Sequence, residues 1–232
     1  MKSLFYKSAI SGERFHDFGV IGLGRFGSAL AITLERLGAS VLAIDMDEER
    51  VEGIKDYVSY AKVVDATNIN ALREAGIQNC DVVIIAIAND IQSSVLATLL
   101  VKELGVKYVV AKAVNEAHGK ILEKIGADLV VYPERQMGEI LAQKLVVPNI
   151  IDFMELSGNV KVFEVKPTPS MIGKNIESLQ LRRKYSLSIL AIHRGGDIIA
   201  NPHPDEIIRE EDILYIVGTL ENVNKLLSIE NI

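Results

Sequence analysis

The stretch Phe18-Gly19-Val20-Ile21-Gly22-Leu23-Gly24-Arg25-Phe26-Gly27-Ser28 joins a short apolar run to a glycine-punctuated turn and then to residues of helical periodicity. Its glycines at 22, 24 and 27 have the spacing G-x-G-x-x-G. Between a strand and a helix, the first glycine permits a tight turn, the second lets the backbone approach a pyrophosphate, and the third lets helix and strand pack closely. The unpaired N–H groups and the positive end of the helix dipole then face the anion, with no basic side chain required. The same spacing also occurs in turns that bind nothing, so the neighbouring units decide.

The next unit supports a nucleotide. Ser40-Val41-Leu42-Ala43-Ile44 reads as a buried strand ending on Asp45, about 20 residues past the glycines, where an acid can accept both hydroxyls of a ribose. A carboxylate there also repels a 2′-phosphate, which favours NAD or another adenosine nucleotide over NADP. Phe26 beside the glycines and Met46 beside the acid join Gly22, Gly24, Arg25, Gly27 and Asp45 as candidate ligand contacts. Asp47, followed by Glu48 and Glu49, reads as the cap of a helix expected over 47–56.

Working outward, the strand-helix cycle repeats. The helix opened by the glycines runs over 25–37 and stops at Gly38. Strands are expected over 60–64, 81–87, 107–112 and 128–131, and helices over 68–75, 90–104 and 115–124. Strands this continuously apolar are buried on both faces, so the pattern predicts a Rossmann-like, doubly wound parallel sheet covered by helices. Ligands then sit at the carboxyl ends of the strands. Three further groups of candidates fall there: Asp65, Ala66 and Thr67 after the third strand, Ala86 and Ile87 after the fourth, and Glu134 in Pro133-Glu134-Arg135 after the sixth. Each also has a plain reading: a helix cap near Asp65, close packing at the alanines, a solvated helix start at Glu134.

The chain has 232 residues, 49% hydrophobic and 24% charged, with a net charge of -6 and a single cysteine, Cys80. That describes a globular chain long enough for one large domain or two smaller ones. Scattered basic residues and the acidic balance argue against a nucleic-acid surface. One cysteine excludes an intrachain disulfide or thiolate cluster, and the four histidines lack metal-ligand spacing. The longest apolar run, Val82 to Ala88, is too short to cross a bilayer, and no secretory pattern follows the first residues, so a cytosolic location is expected. Residues 1–16 read as a flexible extension and 17–137 as the nucleotide-binding domain. Residues 138–158 read as two helices, 138–147 and 149–156, broken at Pro148. Their surplus apolar surface predicts a subunit interface. Residues 159–232 read as a small α+β lobe with a strand over 160–166, a helix over 175–184, a hairpin turning at Gly195-Gly196, a strand over 212–217 and a last helix over 221–227. His118, within a predicted helix, is expected at the surface.

Taken together, these stretches resemble the RCK-domain cytosolic regulatory subunits of Trk/Ktr-type potassium transporters. The resemblance is carried by Val20 to Gly27, Asp45, Asp65-Ala66-Thr67, Lys120 to Asp128 and Pro133 to Gly138. In the second lobe it is carried by Ile172-Gly173-Lys174, Arg183-Lys184-Tyr185, Ile189 to Gly196 and Asp212 to Gly218. It implies dimers assembled into an octameric ring on a membrane-embedded potassium-translocating subunit, at the inner face of the cell membrane. ATP, ADP or NAD(H) would bind the first lobe, with Arg25 reaching a terminal phosphate from a neighbouring subunit. Glu134 would help hold Mg or another cation at the phosphates. Residues 138–156 would be a crossover element exchanged between partners. In some members the second lobe binds cyclic di-AMP, which here implies Arg183, Ile189, Ile198, Asn201, Pro202 and His203. The alternative for those residues is a small core and a stiff turn. Two other functions use the same first lobe: an NAD-dependent oxidoreductase, for which no substrate domain is evident, and a stand-alone nucleotide sensor.

Overall fold

The computed structural model describes residues 15–146 and 149–228, in two compact units that divide between Gln136 and Met137. The expected extension is therefore described only at Phe15 and His16, and Pro148 lies outside the described residues. In the first unit, β1 (Asp17–Ile21), β2 (Ser40–Asp45), β3 (Tyr60–Val63), β4 (Val82–Ile85), β5 (Tyr108–Lys112) and β6 (Leu129–Val131) form a parallel sheet ordered β3-β2-β1-β4-β5-β6. Between them run α1 (Arg25–Arg36), α2 (Glu48–Glu52), α3 (Ile69–Ala75), α4 (Ile91–Glu103) and α5 (Glu116–Lys124).

Alternation along the strands divides their side chains between two cores. Ile21, Leu42, Ile44, Val83 and Ile85 pack with Leu72 of α3, Ala97 and Val101 of α4 and Leu122 of α5. Val20, Val41, Ala43, Val82 and Ile84 pack on the opposite face with Ala31 of α1 and Val51 of α2. Burial on both faces is why the central strands read as unbroken apolar runs. Four helices start on side-chain caps: Asp47, Asn68, Asp90 and Asn115 each accept a backbone N–H of the first turn. The helix expected over 47–56 is shorter, since α2 gives way to a 3-10 turn at Lys55–Tyr57. The strand order reverses between β1 and β4, which opens a crevice at their carboxyl ends.

Helix α6 (Pro133–Val146) crosses the division between the units. The second unit is an antiparallel sheet ordered β10-β9-β11-β8-β7. Its strands are β7 (Ile150–Ser157), β8 (Val160–Val165), β9 (Ser188–Arg194), β10 (Asp197–Ala200) and β11 (Ile213–Thr219). Short helices α7 (Ile176–Leu179) and α8 (Leu181–Tyr185) and the terminal α9 (Leu220–Ser228) complete it. Phe163, Leu187, Ile192, Leu214, Ile216 and Val223 form its core.

Two expectations are corrected here. The second helix of the expected hairpin, 149–156, is strand β7, with Phe153 opposite Phe163 and Met154 opposite Val162. Ile150 and Phe153 pack into the lobe's core while Asp152 and Met154 face solvent, and the pairing with β8 shifts register at Ile151, which lets residues three apart share one face. The Lys161 ammonium, 4.1 Å from the centre of the Phe153 ring, closes over that pair. The single helix expected over 175–184 is two, because Gln180 between them is left-handed at φ 49°. The Gly195-Gly196 turn is as expected, both residues having positive φ, which the tight hairpin turn demands.

Candidate functional site

The glycine loop ends β1 and starts α1 at the reversal of strand order. Each of its three glycines has its own physical reason. Gly22 has φ +98°, a conformation L side chains rarely adopt, and its N–H donates to the Ile44 carbonyl at 2.8 Å. A methyl group on Gly27 would lie 1.9 Å from the Gly22 carbonyl oxygen, so only hydrogen permits α1 to approach β1. Gly24 differs from both. Its φ of -70° suits any residue, and a methyl group there would meet no atom within 4 Å. The open space beside Gly24 is the cradle that a side chain would fill and a phosphate can enter.

Helix α1 carries no side-chain cap, unlike the four capped helices of the same unit, and no acid in its first turn. Its first N–H groups are left for an anion. The end of β4 closes the far wall. The Ala86 N–H donates to the Ile21 carbonyl at 2.7 Å, and a methyl on Gly22 would touch the backbone of both Ala86 and Ile87. The alanine and the glycine loop are in direct contact, as close packing at this point requires.

Asp45 lies at the carboxyl end of β2, nearly buried. Its Oδ2 accepts the Leu23 N–H at 2.6 Å and its Oδ1 accepts the Asp47 N–H at 3.0 Å. The carboxylate therefore ties the glycine loop to the turn after β2. Oδ1 keeps a further lone pair that a ribose hydroxyl can use, while Oδ2 has a second neighbour. Arg50 reaches the same oxygen, with Nη1 3.5 Å from Oδ2. Asp47 caps α2 through the N–H groups of Glu49 and Arg50, as expected.

The third-strand candidates have separate tasks. Asp65 accepts the N–H and hydroxyl of Thr67, which hold its carboxyl below the usual range, while Ala66 is buried and Asn68 is the cap of α3. Met46 and Arg25 are exposed at the crevice's edges, and Arg25 has no ion-pair partner among the described residues. Phe26 is half-buried under a cation that sequence reading overlooked: Lys112, the last residue of β5. Its Nζ lies 5.5 Å from the centre of the Phe26 ring and 2.5 Å from Glu134 Oε1.

Lys112 is buried, whereas Glu134 is exposed in the first turn of α6. The hydrogen bond from Lys112 holds the Glu134 carboxyl below its ordinary range. The sequence signal was available: a lysine closing an otherwise apolar strand at the ligand end of the sheet. No group of three or more His, Cys, Asp or Glu among the described residues is placed to hold a metal ion. Glu134 supplies one carboxylate, and Lys112 is already on it.

His118 is not at the surface, as expected, but is buried in α5. Its Nδ1 accepts the Val114 N–H at 3.4 Å, and burial lowers its pKa, favouring the neutral ring. Cys80 is buried, its thiol pushed up to about 11 by desolvation, and so is packing material as expected.

In the second unit, Ile189 and Ile198 lie on β9 and β10, with Ile198 exposed and Ile189 against the core. Asn201 leaves the hairpin at φ 50°, its N–H donating to the Leu190 carbonyl, and Pro202 and His203 follow. Arg183 is exposed on α8, a different element. Arg194 fixes the segment after the hairpin. Its Nε and Nη2 donate to the two oxygens of Asp212 at 2.7 and 2.8 Å, Nη1 donates to Glu206 at 2.7 Å, and Nη2 also reaches the Ile207 carbonyl at 2.8 Å. Burial opposes ionisation of Asp212, but the hydrogen bonds from Arg194 and the Arg209 N–H outweigh it and keep its carboxyl low.

Both units contain stretches that match known protein families. Residues 18–133 match the TrkA-N domain and residues 160–230 the TrkA-C domain. The Ktr system potassium uptake proteins C and A of Bacillus subtilis are 40% and 43% identical over 209 residues, covering 90% of this chain and 95% and 94% of theirs. The crystal structure of the GsuK RCK domain superimposes with a TM-score of 0.52 at 31% identity, covering 91% of this chain but only 45% of that longer one. The glycine loop, the Asp45 carboxylate and strands β8 to β11 of the antiparallel lobe thus fall within matched domains, and the chain belongs to the TrkA-N/TrkA-C, RCK-fold family that includes the Ktr potassium uptake proteins.

Proposed function

We propose that this chain is the cytoplasmic regulatory subunit of a membrane potassium transporter, controlled by an adenine nucleotide in the crevice between β1 and β4. The observation that carries the reading is the Asp45 carboxylate, 2.6 Å from the Leu23 N–H and beside the open space at Gly24. One end of that arrangement suits a ribose and the other a pyrophosphate. The names of its relatives supply the physiological context, potassium uptake. This reading gives the translocating pore to a separate subunit, and no helix among the described residues is long and apolar enough to cross a membrane.

ATP, ADP and NAD(H) share the adenosine and pyrophosphate that the crevice addresses. They differ beyond the second phosphate, the part that this reading assigns to Arg25, which is exposed at the start of α1. Arg25 of one subunit contacts the terminal phosphate in its neighbour, within a homo-octameric ring. A charge-assisted contact available to one nucleotide alone gives the ligands different affinities for two ring shapes, and that difference drives a shift between them. Lys112 adds a second positive group next to the glycine loop. A Mg ion bound with the phosphates would take Glu134 as its protein ligand, with phosphate oxygens and water completing the shell. The role is regulatory, without turnover of the nucleotide. In the second lobe, Ile198, Asn201, Pro202 and His203, with Ile189 and Arg183, form the surface proposed for cyclic di-AMP between two copies.

Calorimetry with ADP and NAD tests the central assignment. Asp45→Ala removes the ribose acceptor and is expected to cost about 1.5–3 kcal/mol of affinity for both ligands. Unchanged affinity would refute the ribose site.

A further inference from the structure

We infer that Arg50 is a specificity-determining residue of the adenosine end of the crevice, reading whether the ribose carries a 2′-phosphate, and that Asp45 sets the outcome of that reading. This rests on the nucleotide assignment above and extends it to a residue outside the glycine loop.

The three side chains concerned form one chain of contacts. Asp47 is fixed because its Oδ1 accepts the Glu49 and Arg50 N–H groups at 3.0 and 3.4 Å. Its other oxygen, Oδ2, lies 3.3 Å from Arg50 Nε, and Arg50 Nη1 lies 3.5 Å from Asp45 Oδ2. Arg50 is thereby held over the carboxylate that the ribose must reach. Exposure differs sharply between the two: the Arg50 side chain is 48% accessible and that of Asp45 only 7%. Arg50 is thus the solvent-accessible member of the pair and Asp45 the buried one.

An arginine at this point of a dinucleotide fold is the group that accommodates a 2′-phosphate, through paired N–H bonds to phosphate oxygens. Here its charge is outweighed. Asp45 and Asp47 place two carboxylates against one guanidinium, with Glu48 and Glu49 exposed in the same turn. A 2′-phosphate meets net negative charge, while a 2′-hydroxyl donates to Asp45. Neutralising Asp45 leaves Arg50 balanced by Asp47 alone and free to turn its outer N–H groups to phosphate. The ligand preference thus depends on a pair of residues five positions apart, with the arginine already in place.

The test is calorimetry on the full chain with NAD and NADP, which differ only at the adenosine 2′ position. The parent protein is expected to prefer NAD. Asp45→Asn should move the ratio of the two dissociation constants toward NADP by about tenfold or more, and adding Arg50→Gln should reverse most of that shift. In the parent background, Arg50→Gln should weaken NADP more than NAD. If Asp45→Asn binds neither ligand, this single variant carries the test. A shift that persists in the double variant, or an equal effect of Arg50→Gln on both ligands, overturns the role of Arg50 while leaving the nucleotide site intact. A parent protein that binds neither NAD, NADP nor ADP overturns the nucleotide reading and this inference with it.

Discussion

The Gly22 carbonyl oxygen lies 1.9 Å from where a methyl group on Gly27 would sit, whereas a methyl on Gly24 meets nothing within 4 Å. The two glycines therefore answer to different requirements, one to the fold and one to the ligand. Gly27→Ala should destabilise the first unit by about 1–3 kcal/mol, because the clash is with backbone that must shift. Gly24→Val should fold with a melting temperature close to that of the parent yet lose ADP and NAD binding. Thermal denaturation and calorimetry on the two variants separate the effects; a Gly24→Val protein that binds normally would remove the pyrophosphate from this loop.

Lys112 gives a second test of where the phosphates lie. Lys112→Met keeps the stem that packs by Phe26 and removes the ammonium. It should weaken ATP by about 1.5–3 kcal/mol if the charge faces phosphate, and adenosine hardly at all. The Glu134 carboxyl, released from Lys112, should titrate closer to its ordinary value, a change readable by NMR. Equal losses for ATP and adenosine would show that Lys112 acts through packing alone.

The Arg194–Asp212 pair predicts the acid response of the second unit. The folded pKa of Asp212 is lowered from its ordinary 3.8, so the pair's contribution is fully present above that value and is lost as pH falls through it toward the folded value. Arg194→Met leaves the fully buried Asp212 side chain without its counterion, at a cost of about 3–5 kcal/mol at neutral pH. Burial then acts on Asp212 with less opposition, its pKa rises, and the variant should become relatively more stable on mild acidification. Urea titrations between neutral and acid pH check both the loss and the change of slope.

Assembly has its own test. Leu141 and Leu145 on α6 and Met154 and Leu156 on β7 are exposed apolar side chains, while Phe153 is half-buried against Phe163. Met154→Asp with Leu156→Asp should yield smaller species by light scattering without unfolding the lobe. Phe153→Asp should instead destabilise it, since that ring belongs to the lobe's own core. A parent protein already monomeric at micromolar concentration would end the proposal of a ring.

Most of the first unit was legible because its signals are local and redundant. Gly22, Asp45, Asn68, Asp90 and Asn115 each mark a boundary by their own chemistry, and the buried strands between them are apolar throughout. The failures were of other kinds. Residues 149–156 carry apolar side chains that fit a helix by count, and only pairing with β8, a partner later in the chain, makes them a strand. His118 hides in the same way, because its burial follows from what packs over α5, whereas Lys112 stood out as the charged residue that closes an apolar strand. Arg194 was legible as part of a strand, but its four bonds join segments more than ten residues apart.

Strand β1 sends Val20 to one core and Ile21 to the other, and Gly22 comes immediately after. A single-residue insertion between Asp17 and Gly22 would exchange those two side chains and reverse the inward and outward parity of the whole strand. It would also slide the Gly22 N–H past the Ile44 carbonyl that anchors it. Length changes in this chain are therefore tolerable in the segments that join its elements, but the five residues of β1 act as a fixed ruler. The place where a phosphate can be held is measured from the sheet's two cores, and the glycines only occupy the point where that measurement ends.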